Sequence, residues 1–157
     1  MANRLFGIKN RKIRNATPIE YNGITFRSKL EKAIYIALMK KGITPDYEPS
    51  RIKIWSRDKF TIPYYDRFGK QGFKLITSKP LPVHYTPDFV FQYKNLIVYL
   101  EVKGFKNDVT PYKIRLFRDW LENNTKNSCY AVVYSLGDLN ALLKDLDDRQ
   151  KEDRGAD

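Results

Sequence analysis

Three charged residues lie in a stretch of the chain that is otherwise mostly apolar. The segment "YTPDF" contains Asp88, and "LIVYLEVKG" contains Glu101 and Lys103, two residues apart. Successive side chains of a β-strand point to opposite faces, so Glu101 and Lys103 share one face if this segment is a strand. Carboxylates beside an ammonium are the groups that hold a divalent cation and stabilise a charged phosphate during hydrolysis.

The two segments are spaced to form a hairpin that turns at Lys94-Asn95, where Asn95 is expected to take the left-handed conformation. This register places Asp88 directly opposite Glu101, with Cβ atoms roughly 4.5–5.5 Å apart. Two carboxylates at that separation repel each other unless a positive charge lies between them. Mg²⁺, which is bound through one or two carboxylates, water and substrate phosphate, suits the position, and Mn²⁺ is expected to substitute for it. Alternatively, Lys103 neutralises the pair as an edge-strand salt bridge.

Glu31 is a third acid with two interpretations. Ser28 and Glu31 form the S-x-x-E pattern of a capping box, in which the glutamate caps its own helix. Glu31 also lies at the edge of the apolar stripe of that helix, beside Leu38, where a carboxylate could reach over a sheet toward the hairpin. The pattern leaves both roles open.

Lys113 has a similar ambiguity in the second predicted helix. It falls within the apolar stripe formed by Leu116, Phe117 and Trp120. A lysine on the core-facing side of a first helical turn can point at an anion over the sheet, or its aliphatic stem can carry the ammonium to solvent.

The elements that position these residues follow from hydrophobic periodicity. The order predicted is a helix in "FRSKLEKAIYIALMKKG" that ends at Gly42, a strand in "SRIKIW", an extra hairpin within 57–82, the two strands of the charged hairpin, a helix in "TPYKIRLFRDWLENN", a strand in "SCYAVVYS" and a helix in "LGDLNALLKDL". This order indicates an α/β fold with an antiparallel meander, a crossover helix and a further strand. The predicted domains are a basic arm (1–20), one domain (21–147) and a polar tail (148–157).

The charge favours an anionic partner. The chain of 157 residues has a formal net charge of +11, while its last thirteen residues carry six acids and three bases, so that residues 1–144 carry +14. Such a body attracts nucleic acid, although a solvated basic surface is the alternative. The phosphate contacts are expected from the arm and the extra hairpin, at Lys9, Arg11, Lys12, Arg14, Lys59, Arg67, Lys70, Lys74 and Lys79. No apolar run is long enough for a membrane span and no secretory signal is visible, which predicts a cytoplasmic protein without a membrane partner.

The motifs "FRSKLE", "YTPDF" and "EVKG" resemble, in this order, the active-site signature of the PD-(D/E)xK nuclease superfamily. The longer run "GITFRSKLEKAIYIALMKKGI…YTPDFVF…LEVKG" is similar to small phage-borne nuclease-like proteins and, more distantly, to Holliday junction resolvases of the phage endonuclease I type. The resemblance covers about residues 20–135. The insertion at 57–82, the closing helix and the acidic tail depart from the family pattern.

The resemblance implies a restriction-endonuclease-like core and a set of roles. Asp88, Glu101 and the backbone carbonyl of Val102 would bind Mg²⁺, and Lys103 would orient or activate the attacking water. Glu31 would support a metal ion directly or through water. Lys113 matches the place where many of these enzymes carry a basic or amide residue on the second helix.

The function expected is therefore that of a Mg²⁺-dependent DNA endonuclease that acts on branched DNA. A junction resolvase would be a homodimer, because two opposed strands must be cut, and a phage-encoded enzyme would act in the host cytoplasm. One alternative is a duplex- or end-directed nuclease of phage DNA processing or restriction. An alternative from another class is a nucleic-acid-binding protein that keeps the fold without catalysis.

Overall fold

The computed structural model describes residues 17–104 and 110–155. Within them the fold is mixed α/β, with several sheets and three α-helices. The chain divides into two compact units, one formed by Met1–Gly42 with Ser135–Asp157 and the other by Ile43–Tyr134.

The elements are numbered in chain order. The strands are β1 (Ile19–Tyr21), β2 (Ile24–Phe26), β3 (Asp46–Tyr47), β4 (Ile52–Trp55), β5 (Tyr64–Arg67), β6 (Phe73–Ile76), β7 (Val83–Tyr85), β8 (Phe89–Tyr93), β9 (Leu96–Val102) and β10 (Ser128–Val133). The helices are α1 (Lys29–Lys40), α2 (Thr110–Asn124) and α3 (Leu136–Gly155).

The first unit begins with a hairpin that was not predicted. β1 and β2 pair antiparallel around Asn22 and Gly23, whose φ angles of 51° and 76° suit a tight two-residue turn. The predicted arm (1–20) is therefore wrong at Ile19 and Glu20, which belong to a strand. The basic residues predicted for the arm, Lys9, Arg11, Lys12 and Arg14, lie outside the described residues.

Helices α1 and α3 supply the core of this unit. Ile34 and Leu38 of α1 are fully buried, and Leu139 of α3 is also fully buried. The chain leaves α1 at Gly42, whose φ of 75° is costly for residues with a Cβ, as the sequence predicts. Helix α3 begins where predicted but continues past Leu146 to Gly155, because its polar second half keeps good helix formers and meets no breaker. In the described residues, no helix is apolar over enough of its length to cross a bilayer.

The second unit is built on a four-stranded sheet with the order β10-β9-β8-β3. β9 pairs antiparallel with β8 and parallel with β10, and helix α2 makes the crossover between the two parallel strands. β9 lies inside the sheet, and its side chains Val98, Leu100 and Val102 are buried on one face. The other face of β9 packs under α2, so the apolar run "LIVYLEV" reflects burial on both faces.

The predicted meander is corrected at its first strand. The segment "SRIKIW" forms β4, but β4 pairs with β7 in a separate two-stranded sheet. The position beside β8 is taken by β3, which has only two residues. The physical reason is that Pro87 and Asp88 separate β7 from β8, so that the two halves of this long segment pair with different partners. The main sheet thus has three antiparallel strands, of which β3 was not predicted, and the parallel strand β10, which the chain reaches through α2.

The extra hairpin is present in the insertion. β5 and β6 pair antiparallel, with Tyr64 opposite Ile76 and Arg67 opposite Phe73, around a short 3₁₀ turn at Gly69–Gln71. Neither strand pairs with any other strand of the described chain. The hairpin is therefore a two-stranded ribbon outside the main sheet.

Candidate metal and catalytic centre

The register of the β8–β9 hairpin confirms the opposition of the two acids. Phe89 pairs with Leu100 and Tyr93 with Leu96, so Asp88, one residue before β8, faces Glu101. The turn is at Lys94-Asn95 as predicted, but Lys94 rather than Asn95 has the positive φ, at 54°. The two-residue length of the turn sets the register, whichever of its residues is left-handed.

Asp88 is held by the backbone of the neighbouring strand. The N–H of Val102 donates a hydrogen bond to Asp88 Oδ2 at 2.7 Å, and Asp88 is only 4% exposed. The N–H of Val102 points toward β8, but β8 begins only at Phe89. The carboxylate of Asp88 therefore accepts the hydrogen bond that a backbone carbonyl of a longer β8 would accept. The backbone carbonyl of Asp88 accepts a hydrogen bond from the N–H of Glu48 at 2.9 Å. Asp88 is therefore fixed from both its side chain and its main chain.

Glu101 is engaged at both carboxylate oxygens. Its Oε1 forms an ion pair with Lys103 Nζ, and its Oε2 accepts a hydrogen bond from the hydroxyl of Tyr85. The side chain of Glu101 is 8% exposed and that of Lys103 is 22% exposed, so the ammonium lies at the solvent side of the pair. The salt bridge predicted as the alternative role of Lys103 is present with Glu101, although on an inner strand of the sheet and not on an edge strand, and it offsets part of the repulsion between the two acids.

Tyr85 is a member of the site that sequence reasoning missed. It ends β7 and is 7% exposed, with its ring stacked on Phe117 of α2 at a centroid distance of 4.3 Å. Burial, and then the charge of Glu101, raise the pKa of the Tyr85 hydroxyl far above its ordinary value, so it remains a donor. The only signal in the sequence was its position three residues before Asp88, which does not indicate a contact with Glu101.

Tyr130 extends the network across the sheet. Its hydroxyl lies 2.9 Å from that of Tyr85, and its strand β10 runs parallel to β9. Burial raises the pKa of Tyr130, the hydrogen bond with Tyr85 lowers it, and the charges of Glu101 and Asp88 raise it further. The fields of both carboxylates therefore reach this phenol. The alternation of side chains along β10 could have indicated Tyr130, because it lies two residues before Val132, the partner of Glu101, and so on the same face of the strand.

An aromatic layer under α2 supports these hydroxyls. Phe117 is fully buried and contacts Tyr99 and Tyr130 edge-on, both at 5.5 Å between ring centroids. It also stacks with Trp120 at 6.0 Å. This layer packs against the ring of Tyr85, whose hydroxyl donates a hydrogen bond to Glu101.

Lys113 is exposed and lies one helical turn before Phe117 on α2. Because α2 connects the end of β9 to the start of the parallel strand β10, its first turns lie at the end of the sheet where β9 finishes. Glu101 and Lys103 stand at that same end. The placement is compatible with contact to a bound anion, and the role of Lys113 stays a prediction.

Glu31 belongs to the first unit, where the capping box is confirmed. The N–H of Glu31 donates to Ser28 Oγ at 3.1 Å, and Ser28 Oγ donates to Glu31 Oε1 at 2.9 Å. The N–H of Arg27 donates to Glu31 Oε2 at 3.0 Å, and Glu31 is 7% exposed. These bonds account for a helix cap. The metal-supporting role stays a prediction.

The second unit offers a hard cation two carboxylates. Among the residues that the structure describes, no cluster of three or more His, Cys, Asp or Glu side chains could hold a metal ion. Mg²⁺ is bound in many proteins by only one or two carboxylates, with waters and substrate phosphate completing its shell, so Asp88 and Glu101 fit it in type and number. Hydrogen bonds such as those from Val102 and Tyr85 are the kind that orient carboxylate ligands.

The basic residues predicted for the extra hairpin are all solvent-exposed. Lys79 forms an ion pair with Asp58 at 2.7 Å, and the ammonium of Lys74 lies 5.3 Å from the ring centre of Phe68. The exposed set is Lys59, Arg67, Lys70, Lys74 and Lys79. Their exposure makes them available to a phosphate backbone, and DNA contact by them stays a prediction.

Comparisons of this chain with protein-family models, with curated proteins and with solved structures found no match. The function has to be inferred from the residues themselves. The residues that bear most on it are the buried pair Asp88 and Glu101, with Lys103 and Tyr85 attached to the second of them.

Proposed function

We propose that the protein is a Mg²⁺-dependent DNA endonuclease that hydrolyses phosphodiester bonds, with branched DNA as its preferred substrate. The observation that carries the proposal is the burial of two opposed carboxylates at one end of a sheet, with a partly exposed lysine beside them. Like charges in that position lower the stability of the fold, so a functional reason for keeping them is expected. The resemblance to PD-(D/E)xK nucleases and to their restriction-endonuclease-like core points the same way.

The chain's own groups divide the work of hydrolysis. Water must add to phosphorus while one phosphorus–oxygen bond breaks, leaving a phosphate monoester and an alcohol. Asp88 and Glu101, with the carbonyl of Val102, would hold Mg²⁺. When bound, the ion supplies Lewis-acid stabilisation of phosphate oxygens and lowers the pKa of water. Tyr85 keeps the Glu101 carboxylate in one orientation.

Lys103 contributes a positive charge at the solvent side of the pair. Its ammonium can orient the attacking water and stabilise the negative charge that develops on the phosphate in the transition state. The ion pair with Glu101 is largely buried, so the ammonium could leave Glu101 for the phosphate only where the charge of a bound Mg²⁺ takes its place beside the carboxylate. Lys113, one turn before the aromatic layer, would add a second cation on the side of α2.

The basic charge of the chain supports a polyanionic substrate. A net charge of +14 over residues 1–144 favours DNA by releasing its condensed counterions. A homodimer is proposed as the active form on a four-way junction, because cuts in two opposed strands need two sites. A duplex- or end-directed nuclease would use the same site without that requirement.

A catalytically inactive DNA-binding protein is the second candidate, and one observation favours it. Both oxygens of Glu101 are already engaged, by Lys103 and Tyr85. A site that never binds metal could keep this arrangement as a structural network. It would then bind DNA equally well with and without Mg²⁺ and cut neither plasmid nor oligonucleotide.

The test is nicking of supercoiled plasmid in Mg²⁺, with EDTA as the metal-free control. Four-way junction, splayed-arm and linear duplex DNA of equal length should then be compared for cleavage. The variant Glu101→Ala should be inactive, whereas Glu122→Ala, which removes an exposed acid of α2, should cut like the parent. Cleavage that survives EDTA or the Glu101→Ala change would overturn the proposal.

A further inference from the structure

The β5–β6 hairpin exposes an unusual amount of apolar surface. Eight of the twelve exposed large apolar side chains in the described residues lie between Phe60 and Leu81. In the hairpin itself Tyr64 is 58% exposed, Tyr65 56%, Phe73 70% and Leu75 48%. Exposed apolar surface on this scale often marks a binding site, and a two-stranded hairpin alone is only marginally stable.

Charge indicates what covers this surface. Residues 57–82 contain six basic and two acidic side chains, a net charge of +4. A second copy of the chain would bring the same positive charge against it, whereas a polyanion would neutralise it. Nucleic acid is therefore the partner that fits both the charge and the exposed rings.

The two faces of the hairpin are not equivalent. The register places Tyr65 opposite Leu75 and Arg67 opposite Phe73, which puts these four side chains on one face. The other face carries Tyr64 and Ile76, with Asp66 opposite Lys74. The first face, called here the aromatic face, has two exposed rings around a single cation and no acid.

The aromatic face matches the chemistry of unpaired bases. A tyrosine or phenylalanine ring can stack on a base of any sequence, but only where the base is not already stacked and paired in a duplex. Arg67 between the rings can contact the phosphate or stack on a base. A paired duplex would offer this face only phosphates.

We propose that the aromatic face (Tyr65, Arg67, Phe73 and Leu75) binds unpaired nucleotides of DNA by base stacking. This proposal rests on the proposed function in one respect, namely that the substrate is DNA. It also extends that function, because it assigns the preference for branched or splayed DNA to the β5–β6 hairpin and not to the carboxylates. The hairpin recognises the open bases, and the site of Asp88 and Glu101 cuts.

The test measures binding without cleavage, by fluorescence anisotropy in Ca²⁺ with the full chain. The probes are an oligothymidylate, a splayed-arm DNA and a duplex. Tyr65→Ala and Phe73→Ala should each weaken binding of oligothymidylate and splayed-arm DNA by roughly 5- to 150-fold, the range for losing one base–ring stack. Duplex binding should change less than threefold or so, because no phosphate contact is lost.

Tyr64→Ala is the matched control, since Tyr64 is equally exposed but lies on the other face. It should leave binding of all three probes unchanged. Tyr65→Trp and Phe73→Trp keep a stacking ring and should retain single-strand affinity. Arg67→Ala should also reduce the salt slope of binding by about 0.7 for the oligothymidylate and about 0.9 for the duplex, whereas the ring variants should not alter it. Circular dichroism of each variant shows whether the fold is kept.

Three results would overturn the proposal. One is an equal loss of affinity in Tyr64→Ala and Tyr65→Ala. Another is that Tyr65→Ala and Phe73→Ala weaken binding of duplex and of single-stranded DNA equally. The third is a dimer of the parent in sedimentation that dissociates in Tyr65→Ala, since a second copy would then be the occupant. Because binding is read in Ca²⁺, an enzyme that fails to cut can still show the stacking effect, so failure of the nuclease proposal is distinguishable.

Discussion

Two hairpins of the same unit have opposite surroundings. β8–β9 lies inside a four-stranded sheet, and Phe89, Val98 and Leu100 are fully buried. Within the described residues β5 and β6 pair only with each other, and their Tyr65 and Phe73 are more than half exposed. Each hairpin contains side chains that its surroundings do not favour. The buried hairpin carries acids, and the exposed hairpin carries aromatic rings.

Both exceptions indicate functional sites. A buried carboxylate pair costs stability, and an uncovered aromatic face lacks the stabilisation that burial would give, so each indicates an interaction that compensates for it. In β8–β9 the offset within the chain comes from Lys103, Tyr85 and the N–H of Val102. In β5–β6 the described residues supply no covering element, so we assign the offset to a partner. The predictions below test this contrast.

The largest effect is expected from neutralising the buried acids. Asp88→Asn and Glu101→Gln should each abolish cleavage, because each removes half of the negative charge that the site offers to Mg²⁺. Without metal, Asp88→Asn should keep or raise the melting temperature, since the amide oxygen can still accept from Val102 while the repulsion disappears. Glu101→Gln loses its ion pair with Lys103 and should gain less.

Plasmid nicking and thermal unfolding in EDTA measure both effects, with Asp119→Asn on the exposed side of α2 as the control. Undiminished cleavage by either variant would remove the metal-site hypothesis.

Lys103→Met should lower the single-turnover rate by about 10²–10³, the usual loss for one preorganised charge in an active site. DNA affinity measured in Ca²⁺ should hardly change, because the charge is needed mainly in the transition state. Lys103→Arg should not restore the full rate, since a planar guanidinium is a poor substitute for a compact ammonium.

Lys53→Met, an exposed lysine of β4, is the control for Lys103. If Lys103→Met cuts within a few-fold of the parent, and Mg²⁺ merely restores a lost stability, the lysine serves the salt bridge alone.

Matched leucines compare the stability of the two hairpins directly. Leu100→Ala leaves a cavity in a fully buried position of β9 and should cost about 2–5 kcal/mol of unfolding free energy. Leu75→Ala in the exposed hairpin should stay within about 0.5 kcal/mol. Urea unfolding measures both. A loss at Leu75 as large as that at Leu100 would mean that the exposed hairpin is covered in solution.

Tyr85→Phe should reduce cleavage by about 10–100-fold, the range for losing a hydrogen bond that orients a metal ligand. The phenyl ring still stacks on Phe117, so the fold should be kept. Tyr130→Phe leaves the bond between Tyr85 and Glu101 in place and should have a smaller effect. Equal activity of Tyr85→Phe and the parent would show that Glu101 does not depend on this hydroxyl.

The raised pKa of Tyr85 also predicts how stability depends on alkaline pH. An unfolded tyrosine loses its proton near its ordinary pKa of 10.0, while the folded one keeps it. Above that pH the unfolded state binds fewer protons than the folded state, so the free energy of unfolding falls as pH rises. Tyr85→Phe should make this fall less steep, as measured by urea unfolding across the alkaline range.

The smallest effect concerns the cap of α1, outside both hairpins. Ser28→Ala removes the acceptor for the N–H of Glu31 and should cost about 1 kcal/mol of stability with little change in cleavage. Glu31→Gln keeps most of the cap and should mainly reduce turnover if Glu31 supports the metal. A destabilised Glu31→Gln that cuts normally would leave the capping box as its whole role.

Elements whose signals are local were predicted well from the sequence. The capping box of Ser28 and Glu31, the exit at Gly42 and the span of α2 depend on residues a few positions apart. The opposition of Asp88 and Glu101 was predictable for the same reason, because a two-residue turn and the alternation of side chains determine the register. The Asn22-Gly23 hairpin carried an equally clear turn signal, and it was overlooked.

Only the tertiary structure decided which distant segments meet. β4 could have joined the main sheet by its own pattern, but it pairs with β7, and the two-residue β3 takes the position beside β8. The bond from Tyr85 to Glu101 depends on that pairing and on the stacking of Phe117 from α2. The alternation in β5–β6 could equally describe a half-buried hairpin. The sequence alone determines which side chains share a face, because that is a property of the strand, whereas what covers the face depends on the packing of the whole chain.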